Sequence, residues 1–318
     1  MQGYEALRNA AAWLDLAGRG KLYATGEDRA RLLHAMTTNQ VQQLSPGEGC
    51  YAFFLNSQGR ILGDVCLFCL KDRLLLDTEP ERREFLYQHL DKYIIADDVT
   101  LEDATGRMAT LGVEGPEAGR VLRAAGAPVP EKPYGHAGWG RAGVARASYT
   151  GGPGFRIFAP LEQRQEIIGQ LEAAGAVPAS AQAARVVRLE HGRPRYGEDF
   201  ADSTLPQETQ LAEALHFTKG CYLGQEIVER IRSRGHVNRL LAPLQIEGSV
   251  PPEPGAPLAA VGAPAGEITS AAYSPALGAV VALGYVRAAQ AAPGKRLDVQ
   301  GRAAVVREAG RQDRPAVG

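Results

Sequence analysis

Cysteine is scarce. There are four in 318 residues, Cys50, Cys66, Cys69 and Cys221. That is too few for a disulfide scaffold and points to a reducing compartment. An excess of one charge is also missing: 35 Lys and Arg face 36 Asp and Glu, a formal net charge of −1. Such a chain is not built to hold nucleic acid by bulk charge, which argues against direct nucleic-acid binding. No long apolar run is present. The longest charge-free stretch, Ile268 to Val286, is interrupted by Pro275, Gly278 and Gly284. It reads as two strands and a turn, where a membrane helix would need about 20 mostly apolar residues. The first residues carry Glu5, Arg8 and Asp15 and lack a basic start with an uninterrupted apolar core, so no secretory signal is expected. The histidines show no zinc spacing, and neither a phosphate loop nor a Gly-x-Ser-x-Gly elbow occurs. These absences point to a soluble cytoplasmic globular protein, and its length suggests about two domains.

What is present is a mixture of periodicities. Tyr4, Leu7, Ala11 and Leu14 predict a first helix over Tyr4 to Leu16. Tyr51 to Leu55 and Ile61 to Leu70 are apolar runs of strand length. They flank Asn56-Ser57-Gln58-Gly59 and predict a hairpin. Further strands are expected at Lys21 to Thr25, Arg73 to Asp77, Val99 to Glu102, Ala109 to Val113, Gly143 to Tyr149 and Phe155 to Phe158. Helices are expected over Glu27 to Met36, Pro80 to Tyr93, Leu161 to Ala173 and Ala179 to His191, with another after Pro116. The alternation is irregular and rich in hairpins, so the class is α+β with mixed sheets. After Asn238 only short β-like runs remain, separated by Pro and Gly. Leu240 to Ile246, Gly266 to Ala272, Val280 to Val286 and Arg302 to Val306 predict a small barrel. The expected division is an α+β region over 1–237, a barrel over 238–308 and a disordered tail over 309–318.

Three segments could carry chemistry. Glu190 shares a helix face with Val186 and Leu189, so it is expected on or beside an apolar surface. A carboxylate there needs a partner. That partner is either the amino-pyrimidine edge of a flat heterocycle or an arginine such as Arg188, Arg193 or Arg195. The sharpest segment is Lys219-Gly220-Cys221-Tyr222-Leu223-Gly224-Gln225-Glu226. Its lone Cys lies beside a Lys in a glycine-rich loop before a helix. A helix N-terminus and an ammonium both favour thiolate, so Cys221 reads as a reactive thiol or as a small buried hydrophobe. Arg230, Arg232, Arg234, His236 and Arg239 form either an anion grip or a solvated helix face. Cys66 and Cys69 are three apart on one strand and should point to opposite faces, so buried strand residues are expected in preference to a shared metal or a mutual disulfide.

The Lys219 to Glu226 octet resembles the signature of the YgfZ family of folate-binding proteins, relatives of the glycine-cleavage T-protein. Gly26-Glu27-Asp28-Arg29, Thr37-Thr38-Asn39, Asn56 to Ile61 with Asp64, Arg188 to Gly192 with Tyr196-Gly197, and Gly266 to Ser270 agree in order. The resemblance spans about Gly20 to Arg307. It implies ferredoxin-like α/β subdomains around a central tetrahydrofolate site, plus a C-terminal antiparallel barrel. It implies that Glu190, Tyr196, Arg188, Asn39 and Arg230 face the folate. Cys221 and Lys219 would be catalytic, with Gly220, Tyr222, Gly224, Gln225 and Glu226 shaping the motif. It further implies a role in iron–sulfur cluster assembly or repair in client enzymes, including tRNA-modifying ones, with Cys221 as a transient cluster ligand and no resident metal. The alternative is a folate-dependent one-carbon transferase, for which Asp64, Asp77 and Glu190 are the candidate acids. Asp77-Thr78-Glu79-Pro80-Glu81 departs from the asparagine-rich T-protein segment, which weighs against that alternative.

Overall fold

The computed structural model describes residues 1–308, so the tail expectation lies outside the described residues. Two antiparallel-rich sheets and a barrel make up the molecule. The first sheet runs in the order Gly49–Leu55, Ile61–Cys69, Leu74–Thr78, Gly20–Thr25, Thr100–Asp103. Its outer face is covered by the helices Arg29–Met36 and Arg83–Asp91, which bury Leu32, Leu33, Leu86 and Leu90 against Leu22, Phe54, Leu67 and Leu76. The second sheet runs Val177–Pro178, Ala12–Asp15, Met108–Glu114, Gly154–Pro160, Ala142–Ala145, His136–Trp139. Helices Ala118–Ala124 and Arg164–Ala173 cover its outer face through Val121, Leu122, Ile168 and Leu171. The inner faces of the two sheets meet in one aromatic core that includes Phe53, Phe68, Phe158, Tyr196 and Phe200. Each fully buried ring of this kind contributes roughly 1.5–3 kcal/mol.

Six strands close the barrel in the order Arg239–Ile246, Ala279–Arg287, Ala263–Ser274, Pro257–Ala260, Arg296–Val299, Arg302–Val306. Ala279–Arg287 is buried at eight consecutive positions because Val280, Ala282 and Val286 fill the barrel while Val281, Leu283 and Tyr285 pack outward in the cluster that holds the helix Ala181–Glu190. The helix Ala181–Glu190 joins the barrel to the N-terminal helix Tyr4–Asn9. Its start is capped by Ser180, whose hydroxyl accepts from the Ala183 amide at 3.1 Å.

Two local expectations fail for physical reasons. The first helix ends at Asn9, and Ala12–Asp15 is a strand with the alternating burial of period 2. It is claimed by antiparallel pairing with Met108–Glu114, so tertiary pairing overrides a weak helical pattern. The strands His136–Trp139, Val177–Pro178, Pro257–Ala260 and Arg296–Val299 lie where no strand was expected. Each has at most four residues, too short to show a period. Cys66 and Cys69 do face opposite sides, Cys66 in the inter-sheet core and Cys69 under the outer helices. Among the described residues, no helix is long and apolar enough to cross a membrane.

Candidate functional site

Strand register sorts the inner face of the first sheet into parallel rows. One row crosses the strands as Glu102, Tyr23, Leu75, Phe68. The next is Lys21, Asp77, Cys66, Tyr51. A third pairs Asp64 with Phe53. Asp64 and Phe68 are four residues apart on one strand, about 13 Å. From the second sheet Arg156 reaches the middle row. Its Nη1 donates to an Asp77 oxygen and lies 3.4 Å from the Cys66 sulfur. The other Asp77 oxygen accepts from Arg19 Nε at 2.8 Å, and Arg19 also pairs with Glu79. Arg195 holds the second Glu79 oxygen at 2.9 Å. Burial pushes the Glu79 carboxyl up, and the Arg19 and Arg195 guanidiniums outweigh it and hold it below its usual range.

Asp64 differs from these saturated acids. Its Oδ2 accepts from the Tyr51 hydroxyl at 2.8 Å. Its Oδ1 is buried and has no hydrogen-bond partner. Burial, reinforced by the Glu79 charge, raises its ionisation to about 6. Two further buried atoms on the same core are unpartnered, the Tyr196 hydroxyl and Arg156 Nε. The Arg82 guanidinium lies 4.6 Å from the Tyr196 ring centre. Arg193 stacks 4.9 Å from the Tyr51 ring centre and pairs with Glu213 at 2.7 Å.

Glu190 lies elsewhere. Its Oε1 accepts from the hydroxyls of Tyr4 at 2.5 Å and Ser274 at 2.6 Å, and its Oε2 from Arg8 at 3.0 Å. It ties the N-terminal helix to the barrel, and its cation is Arg8, not Arg188, Arg193 or Arg195. Arg188 is buried and spent on Asp199 at 2.6 Å, Glu198 at 2.7 Å and the Arg193 carbonyl at 2.5 Å. Asn39 is a tether whose amide donates to the Tyr51 and Glu213 carbonyls, both at 2.8 Å. Arg230 is exposed on the helix Gln225–Arg234.

The octet is built by close packing. Gly224 sits at φ 83°, and a Cβ there would lie 2.5 Å from the Asn56 carbonyl oxygen. The hairpin turn at Gly59 faces Ile227 just as tightly. The two glycines let the helix start dock on the hairpin. Lys219 is buried and turned inward. Its ammonium donates to the His34 and Thr37 carbonyls at the end of the helix Arg29–Met36. Burial lowers its ionisation to about 8. His34 returns a bond from Nε2 to the Lys219 carbonyl at 2.8 Å, since its Nδ1 faces the amides of Val41 and Gln42. Tyr222 is buried, Gln225 accepts from the Tyr222 amide at 3.3 Å, and Gly220, Cys221 and Glu226 are exposed. Sequence reasoning named Asp64 and Tyr196 but missed Tyr51 and Glu79. Period-2 alternation puts Tyr51 on the Phe53 face, and that was the available signal.

The profile of the GCVT N-terminal domain matches residues 1–219, and that of the glycine cleavage T-protein C-terminal barrel domain matches 239–317. An aminomethyltransferase of Rubrobacter xylanophilus is 32% identical over 290 residues, covering 89% of this chain and 78% of the relative. One from a Nostoc species is 30% identical, covering 93% and 82%. The crystal structure of the glycine cleavage system aminomethyltransferase T from Bartonella henselae superimposes with a TM-score of 0.86 at 23% identity. It covers 97% of this chain and 89% of that one, a likeness of fold. On these matches and this architecture, the chain belongs to the glycine-cleavage T-protein family, whose members are aminomethyltransferase-like and folate-dependent.

Proposed function

We propose that the chain holds a reduced folate in the cleft between the two sheets and transfers a one-carbon unit at a folate nitrogen beside Asp64. The observation that carries this reading is the bare Oδ1 of Asp64. Buried polar atoms are nearly always bonded, so an unpartnered carboxylate oxygen marks a place for a ligand group. The Tyr196 hydroxyl and Arg156 Nε add a hydroxyl and a donor on the same core. The hydroxyl and the donor fit the carbonyl side of a reduced pterin and leave Asp64 Oδ1 to the nitrogen that reacts. When bound, tetrahydrofolate supplies the nitrogen that carries the one-carbon unit.

The protein's own part is proton handling and exclusion of water. Tyr51 fixes the rotation of Asp64 through Oδ2 and leaves Oδ1 to take or give a proton. With its ionisation raised to about 6, Asp64 changes charge close to neutral pH, where a general acid–base group is most effective. Phe53 and Phe200 close the surroundings to water. Turnover with tetrahydrofolate and an aminomethyl donor tests this. Asp64→Asn should lower it by about 10²- to 10⁴-fold. Unchanged turnover in that variant would overturn the reading.

One observation favours a second reading. Cys221 is exposed at the head of a loop anchored by Lys219 and Gly224. It suits a folate-binding accessory protein of iron–sulfur cluster assembly or repair, with the cluster as cargo and Cys221 as a transient ligand. The aminomethyltransferase names of the relatives support transfer better. A bacterial host lacking its own related protein separates the two. Rescue of four-iron enzyme activity by wild type and not by Cys221→Ala would favour the accessory role. Rescue by neither, with soluble protein present, would remove it.

A further inference from the structure

At the Phe68 end of the cleft the two sheets separate around a chamber of about 500 Å³. This is well within the roughly 300–1,000 Å³ of small-molecule sites. One wall is the row Tyr23, Leu75, Phe68 of the first sheet. The other wall is a row of the second sheet in which Phe158 pairs with Gly143, and Gly143 with Gly138. The Phe68 and Phe158 rings meet at the back, 5.3 Å apart.

The paired glycines are the informative feature. Neither has a positive φ, so backbone geometry does not require them. A Cβ on Gly138 would meet nothing within 4 Å, and one on Gly143 only the Ala137 oxygen at 3.8 Å. Packing therefore does not require them either. Two bare glycines side by side in a sheet leave a flat strip of backbone that a planar ligand can approach closely. On the same row, beyond Phe158, Thr110 is fully buried and its hydroxyl has no partner.

The mouth carries arginines. Arg73, Arg107 and Arg141 line the chamber, against Glu102 alone among its carboxylates. Their ion pairs with Asp72, Glu102 and Glu162 are surface pairs, which are weak and exchangeable. Inward, the Asp77, Cys66 and Arg156 row, with Arg19 bonded to Asp77, stands between the chamber and Asp64.

We propose that this chamber is a second ligand site, separate from the Asp64 row, that takes a planar aryl acid: the ring lies on the glycine strip between Tyr23 and Phe158, and the acid meets the arginines at the mouth. The probe is 1-naphthoate, titrated calorimetrically into the full chain. Saturable one-site binding is expected, weakened by added salt and by replacing the acid with the neutral 1-naphthylmethanol. Gly138→Phe fills the strip from an open position, and Gly143→Leu fills it from the neighbouring strand. Each should weaken 1-naphthoate by at least about tenfold, about 1.4 kcal/mol, while tetrahydrofolate affinity stays at the wild-type level. Absence of saturable binding to wild type would overturn the proposal. So would equal affinity in folded Gly138→Phe and Gly143→Leu. Displacement of 1-naphthoate by tetrahydrofolate would overturn the separateness of the site. Failure of wild type to bind tetrahydrofolate would instead strike at the folate reading and leave the naphthoate result standing.

Discussion

Asp64 and Glu190 are both buried carboxylates on inward faces, and they differ in how their oxygens are used. Glu190 receives three donors, from Tyr4, Arg8 and Ser274, and all three come from segments far away in the chain. Asp64 receives one donor, from Tyr51, and keeps a bare oxygen. Burial alone is thus a poor guide to function. A saturated carboxylate holds parts of the fold together, whereas an unsaturated one on a rigid strand is available to a ligand.

The comparison can be broken most forcefully through turnover. If Asp64 is the acting group, Asp64→Asn loses about 10²- to 10⁴-fold in rate. Glu190→Gln should stay close to wild type in any sample that is folded. A steady-state assay of both variants checks this, and equal losses would erase the distinction.

Next in size is the pH dependence of stability. Asp64 ionises at about 6 when folded against an ordinary value of 3.8, so the folded state holds the proton more tightly. Its charge therefore opposes folding at neutral pH, and that cost fades as pH falls from about 6 towards 4. Denaturant unfolding of Asp64→Asn against wild type should show a stability gain of up to about 3 kcal/mol at neutral pH. The gain should vanish near pH 4. A pH-independent difference would contradict the assignment.

Glu190→Gln should cost about 2 kcal/mol of stability, because Arg8 and the two hydroxyls lose a charged acceptor. Chemical denaturation measures it, and the midpoint should shift without any change in folate affinity. The smallest effect is expected at Cys221. An exposed thiol makes few contacts, so Cys221→Ala should change stability by less than about 0.5 kcal/mol, read from the same unfolding curves.

Much of the architecture was legible because its signals are local. The hairpin at Asn56 to Gly59, the opposite facing of Cys66 and Cys69, and the barrel after Asn238 all follow from period 2 and turn residues. The early end of the first helix was not legible, since Ala12–Asp15 becomes a strand only through a partner about 100 residues later. The site divides in the same way. That Glu190 needs a partner could be read from its helix face, but not that the partner is Arg8, 182 residues away. Asp64 could be named as a candidate acid. Its bare oxygen follows from which donors the register brings to the row, and spacing along one strand does not carry that. The octet illustrates a third case. Spacing shows a glycine-rich loop around Cys221, but not that contact with Asn56 requires Gly224 or that two helix-end carbonyls hold Lys219.

The most direct test is a parallel titration of tetrahydrofolate into wild type, Asp64→Asn and Glu190→Gln. Asp64→Asn should weaken binding by about tenfold or more, the loss of one hydrogen bond to a charged group, while Glu190→Gln stays within about twofold. A larger loss in Glu190→Gln than in Asp64→Asn would contradict the placement of the folate in the cleft.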